Sequence, residues 1–418
     1  MAVCEKVTEA RLTPGNILIQ ELSDFSTLDR TNGSLQRLEI LLIDYLACTV
    51  SAIKKSGSIS SRLSDDGIIG KGAWLALKSS VGDRDDIDWT VGTHPGSVIW
   101  STVFSVALLH EKARDNFVEA SLIGYRTSAS IARFLGVDHR SKWHVTGTAG
   151  AFAAASAASV AFGYSDAQHE RALRLAGANI GASTLAPRDR NGAASFNRSA
   201  ATILGTTAAM ASFDGAIAVE NLWDGPNGLL AMFSASDIPA DPKLTVDGVS
   251  TTSLRLFPIS GFAQSAVLAT TLLAGRNSSE LESIDVHVSE DSFNWLDGTR
   301  GDFWWDVKAA VSAAWLSKNP TNLLPSGRYS DRINVIPSRL PVGAARVAVR
   351  TSTGSEVMTI SNPPGNNFDD PNEVEWMNAK WKALLGEQLA EVLDISKTLV
   401  AGFDSPELWH HVKRLLEN

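Results

Sequence analysis

The stretch Asp86-Ile87-Asp88-Trp89-Thr90-Val91-Gly92-Thr93-His94-Pro95-Gly96-Ser97 sets carboxylates, threonines and a histidine directly ahead of an apolar run. Val98, Ile99, Val103, Phe104, Val106, Ala107 and Leu108 then recur at helical spacing. A proline suits the first turn of a helix, where its missing N–H costs nothing, and a threonine just before it can cap free N–H groups. The pattern predicts a helix that starts at Pro95, is capped by Thr93 and carries His94 at its mouth. Free N–H groups and the positive end of the dipole gather there. Such a place suits a carboxylate, and it keeps an imidazole neutral and able to take a proton. Taken alone, a capped helix start is more often plain architecture than chemistry.

Lys142-Trp143-His144-Val145-Thr146-Gly147-Thr148-Ala149-Gly150 repeats the arrangement. A histidine again precedes a Thr/Gly turn, and a helix of very small residues follows from Ala151 to Ala161. Small side chains let another helix, or a ligand, come close. Thr146 or Thr148 is expected to cap this helix. No strand precedes the glycines and no acid follows at the right distance, so the segment is not a dinucleotide loop. Two histidine-bearing helix mouths can face one pocket.

Working outward, helices are expected at Thr13 to Leu28, Gln36 to Ala52, Gly67 to Lys78 and onward from Pro95 to His110. Asn116 to Leu135 follows, with Gly136 opening a loop, then Ala167 to Ala182, Ser199 to Phe213 and part of Leu254 to Gly275. Asp44 interrupts an apolar face and reads as a partnered buried carboxylate. Arg188 to Arg198 is a basic loop able to clamp an anion. From about Asn277 the texture changes. Ile284 to Val288 alternates as a strand does, with His287 on the open face. A helix is expected over Phe303 to Ser317. Strands are expected at Ile333 to Ile336, Ala345 to Thr351 and Glu356 to Ile360, the last two joined at Thr353-Gly354. Helices at Glu373 to Leu389 and Ser405 to Leu416 close the chain. The expected fold is mainly α: a large all-helical domain over 1–276, an α+β region over 277–393, and a helical return over 394–418 that completes the first domain.

The length of 418 residues favours two cores over one. A net charge of −9 and the lack of a Lys/Arg run argue against nucleic acid as a partner. An acidic substrate would need a local site, because the overall field repels it. Cys4 and Cys48 make neither a disulfide framework nor a metal spacing, so a reducing, cytoplasmic setting is expected. Met1 to Arg11 lacks the apolar core of a signal peptide. Ala149 to Phe162 is too short and too alanine-rich for a membrane span, and no membrane association is expected.

Asp86 to Thr90 followed by Thr93 to Gly96, then Gly124-Tyr125, Trp143 to Gly150 and Leu173 to Gly181, resemble the MmgE/PrpD family in the same order. Leu38 to Ala52 upstream and Arg255-Leu256-Phe257-Pro258 downstream agree. That family contains 2-methylcitrate dehydratase, cis-aconitate decarboxylase and iminodisuccinate epimerase. The resemblance implies a helical domain completed by the C-terminal segment, an α+β lid domain and a homodimer. It also implies chemistry on small polycarboxylates without cofactor or metal. Asp86, Thr90, His94 and His144 match polar active-site positions.

Departures from the family pattern are equally informative. Its Thr-Lys-x-Leu-His segment corresponds to Gly192 to Asn197, which has no lysine; Asn197 stands near the family histidine. Arg190 and Arg198 are the nearest replacement cations. The Tyr-Pro-x-Cys-Arg-x-x-His turn is here Phe257 to Gln264, without its arginine and histidine. The lid-domain tyrosine falls near Lys308-Ala309. Arg190, Arg198, Asn197, Thr146 and Lys308 form the expected substrate-binding set. Losing family cations removes charge-assisted hydrogen bonds of roughly 1.5–3 kcal/mol each. A substrate with fewer carboxylates or a bulkier apolar body follows.

The expected chemistry is proton removal beside a carbonyl or carboxylate, then loss of a β-group or reprotonation, on a small carboxylate or carbonyl substrate. His94 and His144 form the acid/base pair, in either order. Asp86 orients a histidine or bonds a substrate hydroxyl, and Thr90 bonds the same group. A dehydratase-like lyase is the first reading. An isomerase, epimerase or cyclase using the same pair in a specialised biosynthetic pathway is the second. An inactive homologue serving as a partner is the third; two helix-mouth histidines argue against it.

Overall fold

Alanine, glycine and serine dominate Val145–Ala161, and small side chains allow neighbours to press in from every side. In the computed structural model all 17 residues of this helix, α6, are buried. The structure describes residues 13–55, 62–188, 193–233, 244–296, 305–321, 323 and 326–417.

Before α6 come α1 (Pro14–Ser23), α2 (Asn32–Lys55), α3 (Gly67–Ser79), α4 (Gly96–Leu109) and α5 (Phe117–Lys142). After it come α7 (Asp166–Gly177), α8 (Leu185–Arg188), α9 (Ala194–Phe213), α10 (Leu229–Met232), α11 (Gly248–Thr251) and α12 (Gln264–Arg276). Helices α4, α5, α7 and α9 surround α6. Glycines set the spacing. A Cβ on Gly205 of α9 would lie 2.4 Å from the Ala151 carbonyl oxygen, and one on Gly147 would lie 2.3 Å from the Ala182 Cβ. The expected break at Gly136 is local. Its φ of 77° kinks α5, which then resumes to Lys142 and delivers His144 to the mouth of α6.

Two short strands, β1 (Ile87–Asp88) and β2 (Thr252–Ser253), pair antiparallel with Ile87 opposite Ser253. This contact joins the histidine loop to the segment that carries Arg255. Past α12 stand β3 (Leu281–Ser289), α13 (Glu290–Leu296), α14 (Val307–Ser317), β4 (Ile333–Ser338), β5 (Ala345–Thr351) and β6 (Gly354–Ile360). The sheet order is β4-β3-β5-β6, with β3 and β4 parallel and the other pairs antiparallel. Ile284, Val286 and Val288 of β3 face the core, while His287 lies half-buried on the other side against Ser338. The hairpin turns at Ser352-Thr353, one residue before the expected place.

The chain ends in α15 (Pro371–Leu385), α16 (Leu389–Val400) and α17 (Pro406–Glu417), all packed on α2. Gly386, with φ 58°, ends α15 where the reading ran one helix on to Leu389. The expected boundary at residue 393 falls inside α16. Asp44 is partnered as expected: Lys380 Nζ lies at 2.6 Å and Trp381 Nε1 donates at 2.9 Å. No described helix is long and apolar enough to cross a membrane.

Gly205→Ala is expected to destabilise the fold by about 1–3 kcal/mol, because overpacking against a backbone carbonyl outweighs the better helix propensity of alanine. Thermal unfolding checks this. An unchanged midpoint would show that α6 and α9 can separate freely.

Candidate active site

The loop before α4 is built by its aspartates. Asp88 closes a turn: its N–H donates to the Thr93 carbonyl at 2.8 Å, and Gly92, with φ 72°, donates to the Asp88 carbonyl at 2.7 Å. One Asp88 carboxylate oxygen accepts from the Thr90 N–H (2.9 Å) and hydroxyl (2.6 Å), and the other accepts from the Thr251 hydroxyl at 2.6 Å. Thr90 is thus an exposed part of this turn and does not line the cavity.

Asp86 points the other way, into the core. Both its oxygens lie 3.0 Å from the Gly96 N–H, and Oδ2 accepts from the Tyr125 hydroxyl, also at 3.0 Å. Trp100 donates in turn to the Tyr125 oxygen at 2.9 Å. Asp86 therefore caps α4, and Thr93, expected in that role, does not. The Thr93 hydroxyl is buried and has no partner among the described residues. The cap needs a glycine: a Cβ on Gly96 would sit 2.5 Å from Asp86 Oδ2.

His94 is fixed at two points. Its ring Nδ1 lies 2.7 Å from the Asp86 carbonyl oxygen. A carbonyl only accepts, so Nδ1 carries the hydrogen and Nε2 keeps its lone pair. Its backbone N–H donates to the Thr146 hydroxyl at 3.1 Å. Thr146 is buried and engaged there; it neither caps α6 nor lines the cavity. Thr148 also leaves the cap unmade and pairs with His139 Nε2 at 2.8 Å.

His144 is held by the opposite logic. Its backbone N–H donates to the Ala182 carbonyl at 3.0 Å, beside a bridge between Trp143 and Ser183. Asn197 Nδ2 donates to the Ser183 carbonyl at 3.2 Å, which fixes the orientation of the amide. The same Nδ2 lies 3.0 Å from His144 Nδ1. That ring nitrogen must accept, so in the neutral ring Nε2 carries the hydrogen. The two imidazoles are opposite tautomers, one with a free acceptor and one with a free donor.

A buried charge cluster sits beside them. Asp85 Oδ2 lies 3.2 Å from an Arg198 nitrogen, and its other oxygen is bonded by Arg255. Arg255 Nε also donates to the Asp85 carbonyl at 2.8 Å, and another of its nitrogens lies 3.4 Å from Asp83. Burial alone would raise the Asp85 pKa, but the two guanidiniums bring it down to about 2. Burial lowers His144 to about 3, helped by Arg198. Burial, with Arg255 and Arg198, also holds His94 well below its ordinary value. The 3.9 Å contact of His94 with Asp85 is therefore not an ion pair near neutral pH. Asp86 goes the other way, to about 8, through burial and the neighbouring Asp85 charge.

His94, His144, Arg198 and Arg255 all line one cavity of about 930 Å³. Asn197 acts on it through His144. Asp86 lies behind His94, joined to it by its backbone carbonyl. Lys308 is exposed on α14 and does not line this cavity. Arg190 lies outside the described residues. Asp85 and Arg255 were missed. Arg255 carried a usable signal, a lone cation within the apolar run Leu254 to Phe257.

Two outcomes are expected. ¹⁵N NMR of labelled imidazoles should show Nδ1–H for His94 and Nε2–H for His144, with Asn197→Asp reversing only the latter; like tautomers would refute the assignment. Between pH 6.5 and about 3 the unfolded chain protonates a histidine that folded His144 does not. Its contribution to stability is complete above pH 6.5 and is lost as pH falls through that window. His144→Gln should flatten the acid limb of denaturant-unfolding stability against pH; an unchanged slope would show that folded His144 protonates freely.

No curated protein matches the chain. Residues 74–240 match the family model described as the MmgE/PrpD N-terminal domain. That span contains both histidines, Asn197, Arg198 and α6 with most of its neighbours. Residues 74–240 of the 418-residue chain are therefore an MmgE/PrpD N-terminal domain.

Proposed function

We propose that the chain is a cofactor-independent lyase that carries out a dehydratase-like elimination on a small carboxylic acid. The observation that carries this reading is the pair of opposite tautomers on one cavity. His94 Nε2 is the base and takes a proton from the carbon beside the substrate carboxylate. The C–H electron pair moves into an enolate-like form held by Arg198 and Arg255. His144 Nε2–H gives its proton to the departing β-hydroxyl. The C–O bond breaks, the double bond forms and water leaves. Proton transfer by a placed side chain contributes roughly 10²–10⁴-fold. Asp86 orients His94 through its backbone, and Asn197 sets the His144 tautomer.

Electrostatics support an anionic substrate. Among the described residues, seven lysine and arginine side chains and two aspartates line the cavity, in a chain of net charge −9. Arg198 helps hold both histidines neutral, and Arg255 adds to the effect on His94. A bound carboxylate offsets that positive field and raises the proton affinity of both rings when they are needed. Trp74, Trp89, Trp143, Trp295 and Trp305 also line the cavity, which suits a substrate with a sizeable apolar body.

The breadth of that cavity also favours the second reading, an isomerase, epimerase or cyclase in which the same pair moves protons without loss of a group. We further place a homodimer contact on the outer face of α9, where Phe196, Met210 and Phe213 are exposed. A reducing, cytoplasmic setting completes the proposal.

In D₂O, His94→Gln is expected to abolish α-deuterium exchange and turnover. His144→Gln should keep exchange and lose elimination by about 10²-fold or more. Release of water from the wild-type reaction marks the lyase; exchange without it marks the isomerase reading. Full turnover in either variant would show that the pair is not the catalyst.

A further inference from the structure

The acid/base chemistry leaves one wall of the cavity without a part to play. Five of the chain's twelve tryptophans line this cavity. Along one wall three aromatic side chains form a connected row: Trp89 from the loop before α4, Phe262 from the turn before α12, and Trp295 from α13. The row begins five residues before His94 in the chain.

Backbone and ring contacts set its geometry. A Cβ on Gly261 would lie 3.0 Å from the Trp89 ring, and one on Gly343, whose φ is 82°, would lie 3.4 Å from it. Main chain therefore packs directly on the indole at two places. Phe262 meets Trp89 edge to face, with centroids 5.8 Å apart and planes at 72°. Trp295 stacks on Phe262 with planes at 10°. The Arg188 guanidinium lies over the Trp295 ring, 5.0 Å from its centroid. All three rings are only half-buried, so each keeps surface with which to meet a ligand.

Aliphatic walls would serve an apolar body of any kind, because the hydrophobic effect has no direction. Aromatic rings add a directional part. Their faces are electron-rich and their edges electron-poor, so ring pairs prefer offset stacks and edge-to-face contacts. The row already contains both arrangements, and a further ring laid on it extends the pattern. A cavity of about 930 Å³ has room for that ring beside the imidazoles.

We propose that the substrate is an aryl-substituted carboxylic acid, with its carboxylate at Arg198 and Arg255 and its ring on the Trp89–Phe262–Trp295 row. This rests on the proposed function in taking the histidine end as the reacting end. A ring on the β-carbon also suits the elimination. The proton leaves the carbon beside the carboxylate, the β-hydroxyl departs with a proton as water, and the new C=C bond stands between ring and carboxylate, conjugated with both.

Calorimetric titration with 3-phenylpropanoate, 3-cyclohexylpropanoate and propanoate tests the proposal. The first two share a carboxylate and a chain and differ only in whether the ring is aromatic. Wild-type protein is expected to bind 3-phenylpropanoate about fivefold tighter than 3-cyclohexylpropanoate, the effect of one aromatic pair beyond its buried area. Phe262→Leu and Trp295→Leu should each bring the two ligands within about twofold of each other and leave propanoate within about twofold, while Phe262→Tyr and Trp295→Phe keep the preference. Equal binding of the two rings by wild-type protein, binding of neither, or a phenyl preference that survives both leucine variants would overturn it. The wild-type comparison needs no variant to fold. His94→Gln is expected to keep the phenyl preference while losing deuterium exchange, so the ring site and the acid/base reading fail separately.

Discussion

The ion cluster of Asp85 with Arg198 and Arg255 is the contact on which the rest of the site depends. Each member comes from a different part of the chain: the loop before α4, the first turns of α9, and the segment after β2. All three are almost fully buried. Removing one partner of a buried cluster typically costs 3–5 kcal/mol, because an uncompensated charge remains in a low-dielectric interior. Asp83 also pairs with Arg255, but at His94 the two guanidiniums outweigh Asp85, a local surplus of positive charge. That surplus, added to burial, keeps both imidazoles neutral. One interaction therefore fixes geometry and protonation together.

Much of the helical architecture was legible, because the fold is carried by local periodicity. Apolar spacing placed α2 and α4, small-residue composition placed α6, and alternation placed β3. The small-residue composition of α6 announced close packing, which Gly147 and Gly205 now show atom by atom. The errors share a cause. Thr93 is the nearest residue able to cap α4, yet Asp86 does so from ten positions away in the chain, across the Asp88 turn. Thr146 looked like a cap for its own helix and instead receives the amide of His94 from another. Sequence reading favours the nearby partner; a folded loop brings distant ones closer.

The same limit explains the site. His94 and His144 stood out because each precedes a helix of conspicuous composition. Their roles could not be separated, since a tautomer is set by what the other ring nitrogen touches. For His94 that is the Asp86 carbonyl, and for His144 it is an amide oriented by the Ser183 carbonyl. Backbone carbonyls carry no sequence signature. Arg255 differs: a cation alone in an apolar run signals burial beside an opposite charge, and that signal went unused.

The bond from the His94 amide to the Thr146 hydroxyl has a mechanical consequence. It ties the mouth of α4 to the first turn of α6, one residue beyond the His144–Val145 junction. The two imidazoles thus stand on helix mouths that share a strut. The strut leaves out other walls of the cavity, among them Phe262 and Trp295, whose stacked rings have centroids 5.8 Å apart. The helix mouths that carry the two histidines form the braced side of the cavity, and Phe262 and Trp295 form part of its aromatic wall.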